Sequence, residues 1–286
     1  MSFSYYTIFV EFDQSCPTTT LKAHLRELCD NAPVLILPLT TPILKDGDDL
    51  AALLAAHEKF LEGDIIVISS KAIATVQGAR IDLQKIQPSP EAQEWARRSG
   101  RSPTFRQAVL DETKRLKGRV VGGSELAMLT EVSPEGLKGT LLVPNAGLDQ
   151  SNVPDGFAIG WPLDPIASAT LLRTRLQEST GKRLAVIVSD SCCRPRRWGV
   201  TAFALVACGL QPLTSQIGRK DLFGRPLTMT VEAVADQLAT AANAVMGNAD
   251  QSIPAAIIRE YGVALNDFCD WVPGIEPEDD LFKGAF

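Results

Sequence analysis

Residues 184–197 read Leu-Ala-Val-Ile-Val-Ser-Asp-Ser-Cys-Cys-Arg-Pro-Arg-Arg. The run from Leu184 to Val188 is continuously apolar, the pattern of a strand buried on both faces of a sheet. It exits into Ser189, Asp190 and Ser191, with Arg194, Arg196 and Arg197 within seven residues of Asp190. An aspartate at the end of a buried strand can bind Mg²⁺ or Mn²⁺, a neighbouring hydroxyl can join it, and arginines can hold phosphate oxygens. A helix N-cap followed by a solvated basic patch is the plain structural alternative.

Working outward, residues 164–180 have helical spacing with Gly181 as a C-terminal stop. Residues 227–233 alternate, 234–246 are Ala-rich and helical until Gly247, and 255–259 read as a strand. Towards the N-terminus, strands are expected at 5–12, 34–37, 64–69 and 139–143, and helices at 21–29, 48–61, 91–98 and 104–117. Strands and helices alternate only partly, so pattern alone supports α+β as well as α/β.

Composition narrows the function classes. The 286 residues are 45% hydrophobic and 22% charged, ordinary globular usage. A net charge of -6 gives no global reason to expect nucleic acid or an anionic membrane. No apolar run approaches the roughly 18 residues of a membrane span, and Glu11 and Asp13 break the first hydrophobic run, unlike a secretory signal, so a cytoplasmic location is expected. The six cysteines are scattered without a C-x-x-C pair, which implies neither a disulfide framework nor a zinc knuckle; most are expected as reduced thiols. The adjacent Cys192 and Cys193 are expected to be reduced, although their arginine neighbours could lower a thiol pKa. Only His24 and His57 are present, so a bound metal must take carboxylates and amides, which favours Mg²⁺, Mn²⁺ or Ca²⁺ over zinc.

Two further segments carry polar groups. Residues 144–152, Pro-Asn-Ala-Gly-Leu-Asp-Gln-Ser-Asn, follow a strand with a turn that reads either as an Asx turn or as a carboxylate and amides presented to a ligand. Residues 218–225 are basic, and Asn248 follows the helix that ends at Met246. There is no Walker A loop: ahead of Gly181-Lys182, Leu176 stands where its first glycine belongs.

Together these segments resemble the coenzyme F-420-0:L-glutamate ligase (gamma-glutamyl ligase) family over residues 34–259. The matches include Leu37-Pro38-Leu39, residues 45–50 (Lys-Asp-Gly-Asp-Asp-Leu), Ser70-Lys71, residues 145–152, Ser189-Asp190-Ser191, residues 221–225 (Asp-Leu-Phe-Gly-Arg) and Val245-Met246-Gly247. The resemblance implies a two-domain α+β subunit in an intertwined homodimer. It implies a GTP-dependent ligase that activates a carboxylate as an acyl phosphate and joins it to the amine of L-glutamate, with two divalent cations, Mg²⁺ or Mn²⁺.

Carried over by position, Asp149 and Asp190 correspond to ligands of one metal and Ser191 and Asn248 to ligands of the other. Leu37, Pro38, Leu39, Thr40, Ser70, Lys71 and Asn152 correspond to nucleotide contacts. Lys71 and Arg194 are the expected catalytic cations. Residues 1–33 form an N-terminal extension, 34–275 the catalytic region, expected as two subdomains, and 276–286 an acidic tail. The sequence departs from the family where Thr75 replaces a second lysine, where Cys192-Cys193 replaces Phe-Gly, where Arg196 replaces Trp, and where Asn248 replaces Gln or Glu. The expected partners are L-glutamate, a small anionic carboxylate acceptor and a second copy of the chain, without nucleic acid or membrane. Two other readings fit the same residues: a non-catalytic nucleotide- or metal-binding relative, and a ligase for another acceptor such as a folate.

Overall fold

The computed structural model describes residues 33–57 and 59–284. The strand expected at 5–12, the helix at 21–29, and His24, Cys16 and Cys29 lie outside them. Contacts divide the chain into residues 1–34 and 35–286, and the second unit carries every element below.

A six-stranded mixed sheet organises this unit. Its strands are β1 (Leu35–Leu39), β2 (Ile65–Ser69), β8 (Ala185–Cys193), β9 (Val200–Cys208), β12 (Ala255–Arg259) and β13 (Cys269–Trp271), in the order β1-β12-β2-β8-β9-β13. β2 and β8 run parallel, and the other neighbours are antiparallel. Val67, Ile187 and Ala256 face one side, packed with Ala235, Leu238 and Ala242 of α6 (Val234–Met246). Ile68, Val188 and Ile257 face the other, packed with Leu54 of α1 (Leu50–His57) and Leu172 and Leu176 of α5 (Pro165–Thr180). The central strands are covered on both faces, which is why 184–188 shows no polar alternation.

A third hydrophobic cluster joins Phe105 and Val109 of α4 (Pro103–Arg115) to Met128 and Leu148. Beside it lie α3 (Pro90–Arg98) and a sheet of β4 (Arg119–Gly123), β5 (Met128–Val132) and β6 (Leu141–Pro144). β3 (Arg80–Asp82) pairs with β7 (Phe157–Ile159). The short helix α2 (Ser70–Val76) follows β2 directly.

Several expectations change. The helix expected at 48–61 stops at His57, because Phe60 turns into the core and the Asp64 carboxylate accepts the Leu61 N–H at 2.8 Å. The strand expected at 227–233 reduces to β11 (Val231–Glu232), paired with β10 (Thr214–Ser215). The residues between fold back on themselves, where the Asp221 carboxylate accepts the N–H groups of Phe223 and Arg225. β8 runs on to Cys193 because β9 pairs along its polar end, Cys193 opposite Val200. Asp190 is therefore a strand residue and not a helix N-cap.

Cys208 and Cys269 form a disulfide, where the sequence implied no disulfide framework. The two stand directly opposite each other on β9 and β13, a pairing across 61 positions that spacing does not reveal. Cys192 and Cys193 are free, as expected. Among the described residues no helix is long and apolar enough to cross a membrane.

Candidate active site

Sheet direction assembles the site. In the parallel pair β2 and β8, Ser69 lies opposite Ser189. Both strands run toward the same end of the sheet, where β2 gives way to Ser70-Lys71 and β8 continues through Asp190-Ser191 paired with β9, so the two segments lie side by side. β12 runs the other way, so residues 248–254 precede it at this same end, and Ser69 N–H donates to Pro254 O at 2.9 Å. β1 is antiparallel to β12 and ends there too, with Leu39 opposite Ala255 and Thr41 N–H donating to Ser252 O at 3.0 Å. Ligand sites in open α/β sheets lie outside the carboxyl ends of strands, which is where these segments meet.

The contacts converge on Asp190. Lys71 Nζ donates to its Oδ2 at 2.8 Å, and Trp161 Nε1 donates to the same oxygen at 2.6 Å. Ser191 N–H donates to Oδ1 at 2.9 Å. Because side chains alternate along a strand, Ser191 points to the opposite face, where its hydroxyl donates to Asn248 Oδ1 at 3.0 Å. Asn152 Nδ2 donates to Ala249 O at 2.9 Å and ties the 145–152 loop to the same region.

That loop is held in an unusual backbone. Asn145, Ala146 and Gly147 all have left-handed φ, at 51°, 52° and 75°. For Asn145 and Ala146 the conformation costs roughly 1–2 kcal/mol each, and surrounding bonds hold it in place. Asn145 Oδ1 accepts from Arg106 Nη1 at 2.9 Å and from Met128 N–H at 3.0 Å, while Ala146 N–H donates to Thr130 Oγ1 at 3.0 Å. Arg106 is fully buried; burial, with the charge of Arg101, pushes its pKa down.

Asp149 follows. Burial raises its carboxyl pKa, but the Ser151 hydroxyl and N–H, the Gln150 N–H and the charge of Lys71 outweigh this, holding it below the usual carboxylate range. The Asx-turn and ligand-presenting readings of this loop are thus compatible: the carboxylate caps its own turn and lies in the field of Lys71.

The structure gathers most of the anticipated residues at one sheet end. Lys71, Asp190, Ser191, Asn248 and Asn152 are linked by the bonds above. Ser70 is buried, and its hydroxyl has no hydrogen-bond partner. Leu37, Pro38 and Leu39 belong to β1, with Leu39 fully buried, and Thr40 is exposed and bonded to His57. The Arg194 side chain makes no hydrogen bond or ion pair among the described residues; its charge acts on Cys192 and Asp236. Burial nevertheless pushes the Cys192 thiol up to about 11, so the arginines do not activate it.

Among the described residues no group of three or more His, Cys, Asp and Glu side chains is placed to hold a metal ion. The anticipated ligands Asp149, Asp190, Ser191 and Asn248 bring two carboxylates, a hydroxyl and an amide, all oxygen donors. Trp161 is the participant that sequence reasoning missed. It follows Gly160 in a loop, and its bond to Asp190 spans 29 positions, so no local pattern marks it.

The F420-0:Gamma-glutamyl ligase family matches residues 38–260, a span that contains every one of these side chains except Leu37. The chain belongs to that family. Similar curated proteins include the Coenzyme F420:L-glutamate ligase of Methanothermobacter thermautotrophicus, 41% identical over 255 residues, covering 85% of this chain and 96% of the relative. Those of Archaeoglobus fulgidus and Methanocaldococcus jannaschii are 39% and 40% identical, covering 83% and 82% of this chain and 92% and 90% of theirs. The family match spans Thr75, Cys192, Cys193, Arg196 and Asn248.

Proposed function

We propose that the protein is a glutamate ligase that joins L-glutamate to the carboxylate of a small anionic acceptor, F420-0 first among candidates, at the expense of GTP. The observation that carries this reading is the Lys71 ammonium bonded to Asp190 at 2.8 Å while its charge also acts on Asp149. Family membership and relatives named Coenzyme F420:L-glutamate ligase support the reaction class.

In the proposed reaction an acceptor carboxylate oxygen attacks the γ-phosphorus of GTP, the bond to the bridging oxygen breaks, and GDP leaves. The amine of L-glutamate, as free base, then attacks the acyl carbon. The amine loses a proton, phosphate departs, and an amide remains. Asp149, Asp190, Ser191 and Asn248 are the residues that would hold two divalent cations, Mg²⁺ or Mn²⁺, and their oxygen donors suit such hard ions. When bound, these cations neutralise phosphate charge and align the reacting oxygens. Lys71 supplies a positive charge on a flexible stem that can pass from Asp190 to a phosphate oxygen as negative charge grows there. The unpartnered Ser70 hydroxyl and the Asn152 amide offer donors for the nucleotide. Arg194, exposed and unpaired, is free to reach an anionic group.

A homodimer belongs to the same proposal. Leu222, Phe223 and Met229 between β10 and β11, and Trp198 between β8 and β9, are almost wholly exposed apolar side chains that a second copy of the chain would cover.

The test is incubation with Mn²⁺, L-glutamate, GTP or ATP, and either F420-0 or a folate. Phosphate release that requires both glutamate and F420-0 is the expected outcome. Release with folate alone moves the acceptor, and no release with either favours a binding relative without catalysis, a reading for which the loss of the lysine at Thr75 speaks.

A further inference from the structure

The Trp161 indole is wedged between the two segments that carry the site's carboxylates. It is 3% exposed, and one edge lies against the turn Asn145–Gly147: a Cβ at Gly147 would stand 2.6 Å from Trp161 Nε1, so only glycine allows the approach. Trp271 packs nearby, its ring centroid 6.3 Å away and tilted by 55°, itself anchored by Nε1 donating to Glu135 O at 3.0 Å. So held, Trp161 directs its single N–H to Asp190 Oδ2 at 2.6 Å.

The consequence follows from counting lone pairs. A carboxylate oxygen accepts about two hydrogen bonds, and Oδ2 already receives Lys71 and Trp161, while Oδ1 receives only the Ser191 N–H. Lys71 is a flexible ammonium that can leave for another anion. The indole is a donor with no acceptor function and no titration in the working range. We infer that Trp161 is a positioning residue that keeps Oδ2 of Asp190 occupied and presents Oδ1 as the oxygen offered to a divalent cation. The inference rests on the proposed reading of Asp190 as a cation ligand. Trp161 also couples the two carboxylate-bearing segments, since a shift of the 145–147 turn moves the indole and with it the Asp190 donor.

The experiment measures Mn²⁺ affinity of the metal-free protein by the electron paramagnetic resonance signal of free Mn²⁺, so it does not depend on turnover. Trp161→Phe keeps most of the ring and removes the N–H. Loss of a partner that orients a metal ligand typically weakens affinity about 10–100-fold, and that weakening, with an unchanged circular dichroism spectrum, is expected for Trp161→Phe. Asp190→Asn is measured in parallel. If Asp190→Asn abolishes binding while Trp161→Phe binds like the parent, the inference is overturned and the reading of Asp190 stands. If the parent protein binds no Mn²⁺, that reading falls and the inference with it. A measurement on the unsubstituted chain covers the case in which Trp161→Phe does not fold. With ¹⁵N-labelled indoles, one Nε1–H signal should shift on adding Mg²⁺ and also in Asp190→Asn; indole signals that all stay in place on adding Mg²⁺ overturn the inference.

Discussion

At the scale of single residues, Lys71 is bonded to Asp190 and its charge acts on Asp149, and its importance should appear in rate more than in stability. Lys71→Met is expected to lower ligase turnover by about 10²–10³-fold, the usual effect of losing one group that stabilises transition-state charge. Steady-state phosphate release, with the thermal midpoint as a control for folding, checks this. Cys192 gives a pH prediction. Burial disfavours its thiolate, so with a pKa of about 11 roughly one molecule in a thousand is ionised there at pH 8. Iodoacetamide should therefore modify exposed Cys193 first at pH 8, and modification of Cys192 should rise as pH approaches 11; fragment-ion mass spectrometry of the peptide carrying both, at pH 8 and pH 10, separates the two.

At the scale of elements, Arg259 on β12 donates Nε and Nη2 to the two oxygens of Asp64, at 2.8 and 2.7 Å, just before β2 begins. Asp64 is fully buried, so Asp64→Ala removes both of these charge-assisted bonds and the acceptor of the Leu61 N–H. The expected loss is about 1.5–3 kcal/mol, the usual worth of hydrogen bonds to a charged group, read from urea unfolding. The elements also explain what the sequence made legible. Residues 234–246 and 255–259 are read to the residue, because an Ala-rich helical face stops at Gly247 and a short apolar run starts after Pro254. No strand is among the sequence expectations for β9, although residues 203–208 are continuously apolar. Its first residues, Val200 and Thr201, earn their place by pairing with the polar end of β8, which local pattern does not encode. The site divides the same way. Asp149, Asp190 and Asn152 stand out as polar groups at strand ends, and Lys71 is singled out by family resemblance. The Trp161 bond depends on tertiary packing alone.

At the scale of the whole molecule, the exposed apolar side chains of the β10–β11 arm predict self-association. Sedimentation at micromolar concentration should give a dimer, and the double substitution Leu222→Asp with Phe223→Asp should shift it to monomer while leaving the sheet's circular dichroism signal unchanged. The same arm lies inside the stretch of chain closed by the Cys208–Cys269 bond. Arg219 and Lys220 are exposed there, and Arg225 precedes Pro226, a peptide bond that trypsin does not favour. A brief tryptic nick after Arg219 or Lys220 would thus leave Cys208 on one fragment and Cys269 on the other. The nicked protein should run as one covalent species on a non-reducing gel and part into two bands once thiol is added, so the severed arm would remain tethered to the body that carries Asp190.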